Sequence, residues 1–190
     1  MSAKSALPRT RSLLAAGAAA LIAIGGLTAC GEEEPTREKN SSSQQDGAKK
    51  DAPKEDNNKQ MAPGDTASYK NGLKITVSKA TAYTPGEFSA GHKSGNKAYT
   101  VTISLENTGE KDINAVLVDV SARAGDEGKK ADKIFDSENE AENTFDGELL
   151  PGKKATATYA FSAPADAKHL DVEVGYFDFS TKAAHWKLPL

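Results

Sequence analysis

Alternation of apolar and polar residues fills most of the C-terminal two thirds of this 190-residue chain and most constrains its fold. Side chains in a β-strand point alternately to opposite faces, so the pattern predicts strands with one dry and one wet face. Turn sequences containing Gly, Pro and Asn separate the runs, and no stretch has a helical period longer than two turns. The clearest runs are residues 73–77, 99–105, 155–161 and 170–176.

The number of predicted strands favours a two-sheet architecture. Seven or eight short strands in about 120 residues fit an antiparallel β-sandwich. A domain of this size buries about two thirds of the surface of its unfolded chain, which is enough to fold without cross-links. Cross-links within the chain are excluded, since Cys30 is its only cysteine. Residues 113–123 are more continuously apolar and predict a strand that is covered on both faces or that contains a bulge.

Several motifs occur in a characteristic order within this region. They are GLKITV at 72–77, YTVTISLENTG at 99–109, LPGK at 150–153 before a strand that ends at Phe161, and Ala163-Pro164 before the next strand. In this respect residues 70 to 190 resemble the telokin-like, immunoglobulin-like domains of unknown function in secreted and lipid-anchored bacterial proteins. The resemblance implies an all-β, immunoglobulin-like antiparallel β-sandwich in the bacterial envelope and no particular activity. The acidic stretch 132–148 has no counterpart in that family pattern.

The first 29 residues have the three parts of a secretory signal. Three basic residues (Lys4, Arg9 and Arg11) precede an uncharged apolar run at 13–29, and small residues lead up to Cys30. The tetrapeptide LTAC at 27–30 resembles the lipobox of bacterial lipoproteins, whose cysteine receives a diacylglyceryl group and becomes the first mature residue. This resemblance implies a signal peptide at 1–29, lipidation of Cys30 and attachment to the extracytoplasmic face of the cell membrane. The alternative is an uncleaved anchor, for which the glycine-containing run is at the lower limit of length.

Residues 31–67 have a different composition. They are rich in charged and small polar residues, and Met61 is almost the only large apolar side chain. Such a segment cannot bury enough apolar surface to offset the entropy lost on ordering. We therefore predict a lipidated cysteine and disordered tether at 30–67, which spans roughly 30–37 Å on average, and one folded domain at 68–190.

Residues capable of catalysis or metal binding do not form a recognisable constellation. No serine lies in a Gly-x-Ser-x-Gly elbow, and no glycine-rich loop precedes a helix. The three histidines are His92, His169 and His185. A hairpin of the last two strands would separate the latter two by about 17 Å, and the alternation places His169 on the wet face. We predict no enzyme activity, no cofactor and no metal bound by histidine.

Charge limits the partners. The formal net charge of −3 becomes −6 once the three basic residues of the leader are removed, so we predict no nucleic-acid binding. Seven acidic residues lie between 132 and 148. They offer oxygen ligands for calcium, but the spacing from Asp136 fails the EF-hand pattern, because Gly147 occupies the twelfth position. The simplest interpretation of this stretch is a solvated loop. The alternative function is a site for a divalent cation or small ligand at 132–148.

The aromatic residues near the C-terminus form the candidate contact surface. Phe177 and Phe179 break the strand parity and would point outward, and Trp186 follows in the last strand. The alternative is that a bulge turns both phenylalanines inward and that Trp186 anchors the core. The predicted function is a membrane-anchored binding or structural module. It would present loops or a free sheet edge to an envelope protein or wall component.

Overall fold

The computed structural model describes residues 33–40, 60–178 and 181–190. Two 3₁₀ turns, at Ala115–Leu117 and Ser137–Asn139, accompany the strands, and these ranges contain no α-helix. The strands are β1 Thr36–Glu38, β2 Thr66–Ser68, β3 Leu73–Val77, β4 Thr81–Tyr83, β5 Asn96–Asn107, β6 Ile113–Asn114, β7 Val118–Ala124, β8 Lys129–Lys130, β9 Asp132–Lys133, β10 Glu148–Leu149, β11 Lys154–Pro164, β12 His169–Tyr176 and β13 Ala184–Pro189.

The strands form two antiparallel sheets, as the sequence predicts. The first has the order β1-β2-β3-β5-β11-β9, with β4 also pairing β5, and the second has the order β13-β12-β7-β8. A short ribbon of β6 and β10 lies apart from both. Residues 129–133 cross between the sheets, because β8 pairs with β7 and β9 pairs with β11. The predicted all-β sandwich is therefore confirmed.

The core lies between the sheets and contains the predicted dry faces. Leu73, Ile75 and Val77 of β3 are fully buried, as are the alternate apolar residues of β5 and β12. Burying an aliphatic side chain contributes about 1.5–3 kcal/mol. This apolar core stabilises the fold without help from a disulfide.

A second, smaller cluster lies on the outer face of β11. Ala160 and Ser162 are buried although their neighbour Phe161 faces the main core. Residues 134–143 cover this face, and the Asn143 side chain fixes them there. Its Nδ2 donates to the carbonyl of Ile134 (2.7 Å) and its Oδ1 accepts from the amide of Ala160 (2.9 Å). The alternation predicts only one of the two buried faces of β11.

The segment 113–123 differs from its prediction. It contains neither a strand covered on both faces nor a bulge, but a 3₁₀ turn followed by the alternating strand β7. Oδ1 of Asn114 accepts from the amide of Val116 (3.1 Å) and thereby initiates the turn. The turn rotates Val116 and Leu117 outward, where they are 61% and 37% exposed.

Two parts of the predicted tether are folded against the sandwich. Met61 is 5% exposed. Its amide donates to the carbonyl of His185 in β13 (2.8 Å), and its carbonyl accepts from the amide of Lys187 (2.9 Å). Residues 33–40, called here the N-terminal strap, contribute β1 to the edge of the first sheet beside β2. The domain therefore begins before residue 68. Residues 41–59, Cys30 and the leader lie outside the described residues.

Candidate functional site

The predicted aromatic contact surface is not formed as a unit. Trp186 is completely buried, and its Nε1 donates to the carbonyl of Asp65 (3.0 Å), so including it in a surface was wrong. The reason is its register opposite Val172, whose side chain also faces the core. Phe177 is 58% exposed. Phe179 lies outside the described residues.

Two acidic residues of the stretch 132–148, Asp132 and Asp136, have different partners within the fold. Asp132 pairs with Lys93, and this hydrogen-bonded ion pair lowers the pKa of Asp132. Asp136 is buried, and its Oδ2 accepts from the amide of Gly86 (2.8 Å) and from Nδ2 of Asn139 (2.9 Å). These hydrogen bonds lower the pKa of Asp136, and the bond from the amide of Gly86 has the largest effect. Both acids therefore hold loops in place.

The described residues of this stretch do not form a group of three metal ligands. In the part of the chain that the structure describes, no group of three or more His, Cys, Asp or Glu residues could hold a metal ion. One feature is unexplained by protein contacts: Oδ1 of Asp136 is buried and has no hydrogen-bond partner among the described residues. Position 86 has no room for a side chain beside this carboxylate. A Cβ on Gly86 would lie 3.1 Å from Oδ1 of Asp136 and 2.1 Å from Oε2 of Glu138.

The two C-terminal histidines lie at different places along the β12–β13 hairpin. His185 stands opposite Glu173, whereas His169 stands opposite Pro189. His169 shares a face with Asp171, as the alternation predicts, but it is only 7% exposed, so the prediction that this position is solvated was wrong. Its Nε2 lies 3.3 Å from Oδ2 of Asp171. Gln60, whose Nε2 donates to Oδ1 of Asp171 (2.9 Å), lies over this side of the strand, and residues 60–63 line a groove together with His169.

One end of the sandwich carries features that the sequence analysis does not bring together. The exposed side chains of Val116, Leu117 and Phe177, called here the apolar tip, belong to two neighbouring loops. The amide of Phe177 donates to the carbonyl of Leu117 (3.0 Å) and so joins these loops. Only Phe177 of the three was predicted to be a contact residue. The others were assigned to a strand covered on both faces or containing a bulge, and the Asn114 turn that exposes them is the local signal.

The N-terminal strap reaches this same end of the sandwich. Glu33 forms a bridge with Thr181, and its carbonyl accepts from the amide of Lys182 (2.8 Å). Farther along the strap, Arg37 forms an ion pair with the buried carboxylate of Asp65. That carboxylate also accepts from the amide of Ala62 (2.8 Å). The strap is therefore attached by backbone pairing and by a buried charge.

One sheet edge remains uncovered within the described ranges. On the side of β11 away from β5, Thr158 and Ala160 bond to Asn143, and Phe161 and Ser162 pair with β9. No described strand pairs with Lys154 to Ala157 on that side. By the alternation of the strand, the N–H and C=O of Thr156 point away from β5.

The fold defines the chain as an immunoglobulin-like antiparallel β-sandwich, and nothing in its described geometry points to catalysis. A family pattern, that of DUF4352, a domain of unknown function, matches residues 61–184, and the chain belongs to this family. The described residues include no helix with the length and hydropathy needed to cross a membrane.

Two solved structures from Bacillus subtilis share the fold. The first is YcdA, a candidate lipoprotein, with a TM-score of 0.51 and 13% identity; the match covers 63% of this chain but only 37% of YcdA. The second is the YjhA protein, also with a TM-score of 0.51 but with 21% identity, over 67% of this chain and 98% of YjhA. At these identities the likeness concerns the fold alone. No curated protein is significantly similar to this chain.

Proposed function

We propose that this protein is a lipid-anchored extracytoplasmic lipoprotein whose β-sandwich acts as a binding or structural module of the cell envelope. The observation that carries the proposal is the lipobox-like sequence ending at Cys30, directly ahead of a sandwich that folds without a disulfide. The shared fold with the candidate lipoprotein YcdA supports it. Two acyl chains hold a protein stably at a bilayer, at about 0.8 kcal/mol per buried CH₂.

Incorporation of a radiolabelled fatty acid tests the anchor. The wild-type chain should take up label and fractionate with membranes, and Cys30→Ala should do neither. Thr28→Ala keeps the cysteine and serves as a control for the substitution. Label that persists in Cys30→Ala, or a wild-type chain found unlabelled in the cytosol, would contradict the proposal.

The uncovered edge of β11 is the surface that best fits a binding role. A strand whose N–H and C=O groups are unpaired accepts an extended peptide as an added strand. Thr156→Pro removes the outward N–H without removing a bond to β5, whereas Thr156→Ala changes only the side chain. Envelope partners that use this edge should be recovered by wild type and Thr156→Ala and lost with Thr156→Pro. Equal recovery with all three would exclude the edge.

A cation site at 132–148 is the second candidate, favoured by the unpartnered Oδ1 of Asp136. A ligand present at 100 times its dissociation constant stabilises a protein by about 2.7 kcal/mol. A calcium site would therefore raise the Tm in millimolar calcium, and Asp136→Asn would abolish the rise. An unchanged Tm of the wild type removes this candidate.

A further inference from the structure

We propose that the apolar tip (Val116, Leu117 and Phe177) is a membrane-contacting surface that inserts shallowly into the bilayer holding the anchor. The inference rests on the proposed lipidation of Cys30 and adds the orientation of the domain. Three observations carry it: the position of the N-terminal end of the strap, the side chains exposed at that end of the sandwich, and the charges around them.

The strap brings the anchored end of the chain to this end of the sandwich. Glu33 is held by the bridge to Thr181 and by the bond from the amide of Lys182. Only Gly31 and Glu32 separate it from Cys30. Three extended residue steps cover at most about 11 Å between the Cα atoms of Cys30 and Glu33. A lipidated Cys30 therefore keeps this end of the sandwich within roughly 11 Å of the bilayer surface.

The apolar tip has the exposure expected of a lipid contact. Val116 is 61% exposed and Phe177 is 58% exposed, although both are large apolar side chains on adjacent loops. Apolar side chains that are exposed next to one another, rather than singly, mark interaction surfaces, and the bond from the amide of Phe177 to the carbonyl of Leu117 brings these loops together. Leu150, 50% exposed, follows β10, which pairs with β6 just before the Asn114 turn. Shallow insertion to about 5–10 Å would bury these side chains among headgroups and upper acyl chains.

Charge at this end predicts the kind of bilayer contact. Lys70 and Lys111 line a cleft there, but Glu110, Asp112 and Asp178 line it as well. The mixture gives no basic surface for anionic headgroups. Apolar insertion and the anchor therefore account for the contact, which should occur on zwitterionic lipid and depend little on salt.

Quenching by brominated acyl chains tests the orientation directly. The lipidated protein is reconstituted into zwitterionic vesicles containing brominated lipid, with either Phe177→Trp or Phe88→Trp as the reporter. Phe88 is 82% exposed in the loop between β4 and β5, at the opposite end of the sandwich. Trp186 is buried in both variants and contributes a common background. The Phe177→Trp protein should show a blue shift and a loss of emission, and the Phe88→Trp protein should show neither.

A strap variant connects the result to the geometry. Arg37→Pro removes the ion pair to Asp65 and a backbone N–H of β1, and it should reduce quenching of the Phe177→Trp reporter. Ser42→Pro, beyond the strap, is the matched control and should leave quenching unchanged. Vesicles that float with bound protein but leave Phe177→Trp unquenched overturn this inference and leave the anchor intact. A chain that does not float contradicts the anchor, and the inference falls with it.

Discussion

Buried polar side chains fix the loops of this sandwich residue by residue. Asn107 is completely buried; its Nδ2 donates to the carbonyls of Lys111 (2.8 Å) and Leu149 (2.7 Å), and its Oδ1 accepts from the amide of Gly109 (3.0 Å). Asn143 has the same role under β11. Hydrogen-bonded side chains are favourable in a core, whereas unpaired ones are costly. They take the place that disulfides occupy in many small secreted domains.

Trp186 should be the most sensitive single position of the core. Its ring is fully buried and its Nε1 bonds to Asp65, so Trp186→Ala leaves a cavity and an unsatisfied carbonyl. We expect a loss of about 3–5 kcal/mol in the free energy of unfolding. Urea denaturation followed by circular dichroism measures it. Phe177→Ala, at the exposed tip, should change stability by no more than about 0.5 kcal/mol. Similar losses for both would contradict the assignment of Trp186 to the core.

Asp136 should make stability depend on acid. Its pKa is lowered in the folded protein, chiefly by the amide of Gly86. Its contribution is therefore fully present above the unfolded pKa of about 3.9 and is lost as the pH falls through the lower folded value. Urea midpoints from pH 6 to pH 2.5 should fall less steeply for Asp136→Asn than for wild type. The exposed Glu142→Gln should retain the wild-type slope. Parallel curves for all three proteins would show that Asp136 has no such role.

At the scale of elements, the sequence predicts the strands well, but it predicts poorly which other segments pack against them. Period-two alternation correctly places the apolar residues of β3, β5 and β12 inward, because it is a local property. The strap carries no such signal: Thr36–Glu38 is polar, and its pairing with β2 depends on a sheet edge distant in the chain. For the same reason the proximity of residues 60–63 to His169 was missed. In the candidate site, Phe177 was predictable, whereas Val116 and Leu117 depend on the turn at Asn114.

The strap should be coupled energetically to the residue that it covers. The Asp65 carboxylate is nearly inaccessible, whereas the Arg37 side chain is 31% exposed, so their interaction is only partly screened. A double-mutant cycle of Arg37→Ala and Asp65→Asn should give a coupling of roughly 1–2 kcal/mol, within the range for contacting residues. The exposed pair Lys154 and Glu106 should give about 0–1 kcal/mol in the same urea assay. Additive effects at Arg37 and Asp65 would show that this ion pair does not couple the strap to the domain.

At the scale of the whole molecule, topology should set the folding rate. β11 pairs with β5 from Lys154 opposite Glu106 to Pro164 opposite Asn96, and β12 pairs with β7 at similar separations. These contacts lie 46 to 68 positions apart and require loops to close before they stabilise the fold, so sandwiches fold in about milliseconds to seconds. Stopped-flow fluorescence of Trp186, the only tryptophan in the wild-type chain, should report folding in this range. The rate should not change with reductant, because one cysteine cannot form an internal disulfide. Folding in microseconds would mean that local contacts, rather than the two long-range sheet pairings, dominate the transition state.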